Sequence, residues 1–181
     1  MNLKTKIIIT DTNIITDLNN AKVLDKFIKL DNVYMVDMVK NDEVNSKTCD
    51  VNIIDNIKEI VSSDKVLNDI IKLKSKINEL SFYDLLNYKI AKINNYILAT
   101  GDNRLKRYAE ENNVLVIRTL TIIRFMYDYN IITLKETINA CNLLKNNPYT
   151  RIPINEIDIL ITDIEKNSVT CWIFLVILII T

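Results

Sequence analysis

The amino-acid sequence predicts an α/β protein, a three-layer sandwich with a central parallel sheet, followed by a helical carboxyl-terminal extension. Three observations predict it. Runs such as Ile7-Ile8-Ile9 and Ile97-Leu98-Ala99 are continuously apolar, as in strands buried on both faces. Elsewhere apolar residues recur at helical spacing. The two patterns alternate along the chain, as they do where crossover helices join parallel strands. With 49% hydrophobic residues, 181 residues suit one compact domain with a sizeable core. That domain is expected over residues 1–165, with residues 166–181 an apolar tail of unassigned role.

Lys6 to Thr10 predicts the first strand, ending at Asp11-Thr12-Asn13. Ile14, Ile15, Leu18, then Val23, Leu24, Phe27 and Ile28, predict one or two helices before Asp31-Asn32 breaks the pattern. Val33 to Val36 is the second strand. Met38 and Val39, leading into Asp42-Glu43-Val44, predict a strand and then a short helix with two acids near its start. Cys49 to Ile54 reads as a further short strand or edge segment.

Asn56 to Val61 and Asp64 to Leu80 are helical by spacing, the second with an apolar stripe of Val66, Leu67, Ile70, Ile71, Leu73 and Ile77. Lys72, Lys74 and Lys76 spread around that helix as a solvated surface. Ser81-Phe82-Tyr83-Asp84 is a capping-box pattern, and Leu85, Leu86, Ile90 and Ala91 form the buried face behind it. A strand from Tyr96 to Ala99, a turn at Gly101, a helix through Tyr108 and Ala109 and a strand from Val114 to Ile117 follow. Helices Thr119 to Tyr129, Thr133 to Leu144 and Ile154 to Ile164 close the chain.

Composition narrows the chemistry. Lys plus Arg and Asp plus Glu both number 23, so no global basic field attracts nucleic acid, and any such binding rests on a local patch. Cys49, Cys141 and Cys171 are odd in number, widely spaced and accompanied by no histidine. Neither a disulfide framework nor a zinc site is supported, and a reducing cytoplasm fits. Without histidine, Ser-His and Cys-His nucleophiles are excluded, and carboxylates remain as the catalytic groups. The amino terminus has no secretory apolar region. The apolar run Val169 to Ile180, with Trp172 and Phe174, is shorter than the roughly 20 residues that span a bilayer. It reads as a core strand, a partner-binding tail or a non-native terminus, and no membrane association is expected.

The only glycine of the chain, Gly101, lies in Ile97-Leu98-Ala99-Thr100-Gly101-Asp102-Asn103-Arg104-Leu105. Glycine tolerates positive φ and close approach of other groups, so it marks a tight turn between strand and helix. Asp102 then either caps the next helix or stands where open α/β sheets place ligands.

Four acidic positions sit after predicted strands or at adjoining helix starts: Asp11, the pair Asp42-Glu43, Asp84 and Asp102. Each has a local explanation as a cap or a helix-dipole partner. Together they gather carboxylates on one sheet edge, where repulsion raises their pKa values unless a cation neutralises them. Mg²⁺ or Mn²⁺ resolves that conflict through oxygen ligands and supplies phosphodiester hydrolysis without histidine.

Ile7-Ile8-Ile9-Thr10-Asp11-Thr12-Asn13, Leu80-Ser81-Phe82-Tyr83-Asp84 through Ile90-Ala91, and Leu98-Ala99-Thr100-Gly101-Asp102-Asn103-Arg104-Leu105 resemble, in order and separation, the motifs of the PIN-domain family. The resemblance runs from about Lys6 to near Leu160. It implies a Mg²⁺- or Mn²⁺-dependent ribonuclease, often the toxin of a bacterial toxin–antitoxin pair and often a homodimer. Asp11 and Asp102 would be the main metal ligands, with Asp84 and Asp42 or Glu43 completing the pocket directly or through water. The family has V-x-x-E after its second strand; here Val39-Lys40-Asn41-Asp42 puts Asp42 at that spacing, while Glu43 carries the usual side chain. Asn13 and Thr100 orient a carboxylate or water, or only cap and turn. Arg104 is positioned to contact RNA phosphate; Lys106 and Arg107 either join it or form an exposed basic face. The rival expectation is a non-catalytic PIN-like scaffold whose acids are caps and whose tail docks a partner.

Overall fold

A computed structural model of the chain describes residues 5–44 and 51–166. Its centre is five strands: β1 (Ile8–Thr10), β2 (Val33–Val36), β3 (Glu59–Ile60), β4 (Ile97–Ala99) and β5 (Val116–Ile117). All pair in parallel, in the order β3-β2-β1-β4-β5. The most apolar runs take the middle: β1 and β4 are buried at every residue. Their register sets Ile8 beside both Val33 and Ile97, and Thr10 beside Ala99.

Helices α1 (Thr12–Asn20) and α2 (Leu24–Ile28) join β1 to β2, and α3 (Asp37–Glu43) and α4 (Val51–Asp55) lie between β2 and β3. α5 (Asp64–Lys74) and α6 (Phe82–Asn94) lead to β4, and α7 (Asn103–Glu111) to β5. α8 (Thr119–Asp128), α9 (Leu134–Lys145) and a helix over 154–166 follow. The sheet grows in both directions from β1, so right-handed crossovers put helices on both faces. α6 packs with α5 and α7, and α1 with α8 and α9. This is the expected three-layer α/β sandwich. Phe27 and Leu18 are fully buried, and Ile157 and Ile164 of the last helix join the same core, so the helical extension shares it.

Several expected elements differ. Met38 and Val39 are helical, not strand. Asp37 ends β2 by accepting bonds from its neighbour's N–H (2.8 Å) and from Ser62 Oγ (2.8 Å), so the chain turns at once into α3. Asp42 and Glu43 are therefore the last residues of that helix, not the first. The segment expected to be helical over Asn56 to Val61 instead holds β3, where Met35 pairs with Glu59 and Val36 with Ile60. A two-residue edge strand is too short to show a period. Residues 51–55 are helical where an edge strand was expected. α5 ends at Lys74, with Ser75 as C-cap, short of Leu80. Ile71 of its expected stripe is 61% exposed, and Lys74 Nζ folds back onto the Leu80 carbonyl (2.7 Å) instead of standing in solvent.

Gly101 does not have positive φ. Its reason is room: a Cβ there would lie 3.3 Å from Asn13 Cβ. Cys49, Cys171 and the apolar run Val169 to Ile180 lie outside the described residues. Among the described residues no helix is long and apolar enough to cross a membrane.

Candidate active site at the carboxyl ends of the strands

Asp11 follows β1 directly, held in place by its N–H bond to the Ala99 carbonyl (3.0 Å) across the β1–β4 ladder. It occupies the N-cap position of α1 but makes no side-chain cap bond. Instead its Oδ2 accepts from Thr100 Oγ1 (2.6 Å) and Asn13 Nδ2 (3.2 Å). The residue is 3% exposed. Burial pushes its pKa above the usual carboxylate range, the bonds from Thr100 and Asn13 oppose that rise, and nearby Asp84 adds to it.

α3 is pinned at its start by the Asp37–Ser62 bond and along its length by Lys40. That lysine is 7% exposed and donates to Glu59 Oε1 (2.7 Å) and the Ile57 carbonyl (2.9 Å). So anchored, the helix delivers Glu43 to Thr12, whose Oγ1 donates to Glu43 Oε2 (2.9 Å). Burial raises the Glu43 pKa most, Thr12 opposes, and Asp11, Asp84 and Asp42 raise it further. A helix C-terminus disfavours negative charge, so the dipole explanation for Asp42 and Glu43 does not hold here. Asp42 is exposed and accepts from Tyr83 Oη (2.9 Å). Of the two acids, Glu43 is the one beside Asp11.

Asp84 completes the α6 capping box, Oδ2 accepting from the Ser81 N–H (2.8 Å). Asp102 caps α7, Oδ1 accepting from the N–H groups of Arg104 (2.7 Å) and Leu105 (2.9 Å). Arg104 stands 3.7 Å from Asp102 Oδ2 with its side chain 66% exposed, Lys106 pairs with Glu110 (2.8 Å), and Arg107 is exposed. The structure thus brings Asp11, Glu43, Asp84, Asn13 and Thr100 to one edge, with Asp102 tied in through its N–H bond to Thr100 Oγ1 (3.1 Å).

Among the described residues no group of three or more His, Cys, Asp or Glu stands close enough to hold a metal ion. The acids at this edge nevertheless offer carboxylate oxygens, those of Asp11 and Glu43 desolvated and raised further by neighbouring carboxylates, the kind of donor that Mg²⁺ or Mn²⁺ takes. In donor chemistry the residues fit such an ion. Cys141 is buried, which pushes its thiol up to about 11, far from a nucleophile at neutral pH.

Sequence reasoning missed Thr12, Tyr83 and Asp17. Asp17 Oδ2, half-buried, accepts from Thr119 Oγ1 (2.6 Å) across 102 residues. Its signal was only a polar residue one turn beyond Asn13 on the helix that Asp11 precedes.

No family model matches the chain, and no characterised protein matches it in sequence. Among solved structures, the crystal structure of PAE2754 from Pyrobaculum aerophilum is similar, with a TM-score of 0.50 at 17% identity, over 66% of this chain and 96% of that one. At that identity the likeness concerns the fold alone.

Proposed function

We propose that the protein is a metal-dependent endoribonuclease of PIN type, working with Mg²⁺ or Mn²⁺ in the cytoplasm. One observation carries the reading: Asp11, buried, and Glu43, partly desolvated, come from elements distant in sequence and lie near each other and Asp84, with no ion pair to a basic side chain among the described residues. A fold that gains nothing from this repulsion gains from it once a cation is bound. Asp11, Glu43 and Asp84 would hold the ion, with Asp102 joining through the oxygen its cap leaves over. The ion would supply charge stabilisation at phosphorus and an acidified water. The chain's own residues set the rest: Thr100 and Asn13 fix the Asp11 carboxylate, Thr12 orients Glu43, and the exposed Arg104, loosely paired with Asp102, would turn toward a phosphate. The homodimer and the antitoxin partner belong to the same proposal.

Purified protein, incubated with single-stranded RNA and Mn²⁺ beside an Asp11→Asn, Glu43→Gln variant, tests it. Cleavage is expected from the wild type and not from the variant. Equal cleavage by both, or none by folded wild type, overturns it.

A second reading has its own support. Asp84 and Asp102 act as caps, and among the described residues no three-acid group is close enough to hold an ion, as in a non-catalytic scaffold. Calorimetric titration separates the two: a scaffold shows no Mn²⁺ binding.

A further inference from the structure

Beside the acidic edge, on the α1 and α8 side, lies a cavity of about 330 Å³. It adjoins the acids through Asn13, which donates to Asp11, and Gly101, between Thr100 and Asp102, both of which line it. Arg118 is held there by bonds from Nη1 to Asn103 Oδ1 (2.6 Å) and from Nη2 to the Gly101 carbonyl (3.1 Å). Arg151, exposed, comes from the connection after α9. The arginine ion pairs within 4 Å among the described residues are made by Arg104 and Arg124; Arg118 and Arg151 make none, though both lie near enough to the Asp17 carboxylate to favour its charge. Tyr149 lines the cavity and is 88% exposed.

Two guanidiniums, an exposed aromatic ring and a mixed polar wall make a particular combination. A phosphate suits the guanidiniums. A splayed base suits the ring, since unpaired RNA bases stack on aromatic side chains and are read along their edges. Asp17 and Glu156 also line the cavity, so it is not a simple anion trap. A carboxylate at the wall accepts from the exocyclic amino group of a base, as acidic side chains do from cytosine. The volume lies at the small end of ligand sites, which run from about 300 Å³ upward, and admits one nucleotide rather than a helix or a folded peptide.

We propose that this cavity seats one unstacked nucleotide of single-stranded RNA next to the phosphate facing the acids, its own phosphate on Arg118 and Arg151 and its base on Tyr149. The proposal rests on the nuclease reading for its nucleic acid. It adds a subsite for sequence preference beside the acids.

Fluorescence anisotropy with a labelled single-stranded RNA of mixed sequence, in EDTA so that no cleavage intervenes, tests it. Arg151 and Tyr149 are exposed and make no side-chain hydrogen bond, so their replacement leaves the fold in place, which circular dichroism checks. Arg151→Ala and Tyr149→Ala are each expected to weaken binding roughly tenfold, Tyr149→Phe to restore it, and Lys72→Ala on distant α5 to leave it unchanged. Arg151→Ala is also expected to flatten the slope of log affinity against log salt by about 0.7. Wild-type binding that neither variant weakens, no wild-type binding at all, or equal competition by polyglutamate overturns the subsite. Failure of the nuclease reading looks different: RNA is bound through Tyr149 and Arg151, yet no cleavage follows when Mn²⁺ is added.

Discussion

Thr100 Oγ1 donates to Asp11 Oδ2 across 2.6 Å while accepting from the Asp102 N–H at 3.1 Å, so one hydroxyl joins the carboxyl ends of β1 and β4. The β1–β4 ladder makes the bond unavoidable, since Thr10 pairs with Ala99 and each chain continues into the same layer. Removing the hydroxyl leaves a buried carboxylate short of a donor. Thr100→Val is expected to lower stability at pH 7 by about 1–3 kcal/mol in urea unfolding. An unchanged midpoint would mean that the bond contributes nothing.

Asp11 and Glu43 both have folded-state pKa values raised above their ordinary values of 3.8 and 4.5. The folded state therefore holds protons that the unfolded state has released. The stability these groups contribute is complete below about pH 4 and is lost as pH rises through the raised folded values. In a metal-free buffer, Asp11→Asn is expected to gain on the wild type as pH climbs from 4 to 8. Unfolding curves at a series of pH values check it; a constant gap contradicts the assignment.

A cation that relieves the repulsion binds only the folded state. At a hundred times its dissociation constant Mn²⁺ is expected to stabilise the wild type by about 2.7 kcal/mol, read as a rise in melting temperature. Glu43→Gln should lose most of that gain. Asp42→Asn should keep it, because Asp42 faces Tyr83. The opposite ranking would restore Asp42 as the second acid.

Asp84 has two separable roles. Ser81→Ala removes the hydroxyl that accepts from the Asp84 N–H (2.9 Å) and is expected to cost about 1 kcal/mol while the Mn²⁺ gain persists. Asp84→Asn should diminish the Mn²⁺ gain. If both variants lose only stability, Asp84 is a cap and nothing more.

Gly101→Ala tests the close approach of Asn13. With the Cβ 3.3 Å from Asn13 Cβ, α1 must shift by a few tenths of an ångström, and a loss of about 1 kcal/mol is expected. Since φ is not positive, Gly101→Ala carries no left-handed strain. A loss of several kcal/mol would point to backbone strain after all.

Much of this was legible in the chain itself. The continuous apolar runs Ile7-Ile8-Ile9 and Ile97-Leu98-Ala99 located the central strands, because a strand buried on both faces has no polar positions to spare. Ser81 to Asp84 marked a helix start through a reciprocal cap, a chemistry confined to four consecutive residues. What tertiary structure alone decided is how residues far apart meet. Asp42 and Glu43 are neighbours in sequence, but α3, anchored through Asp37 to Ser62 and through Lys40 to Glu59, turns one outward to Tyr83 and the other inward to Thr12. A helix rotates successive side chains by about 100°, so one residue of register decides which acid faces Asp11, and register is set by the partners a helix packs on. The same holds for Gly101, whose lack of a side chain has its reason in Asn13, 88 residues earlier, and for the Asp17–Thr119 bond, which no local pattern encodes.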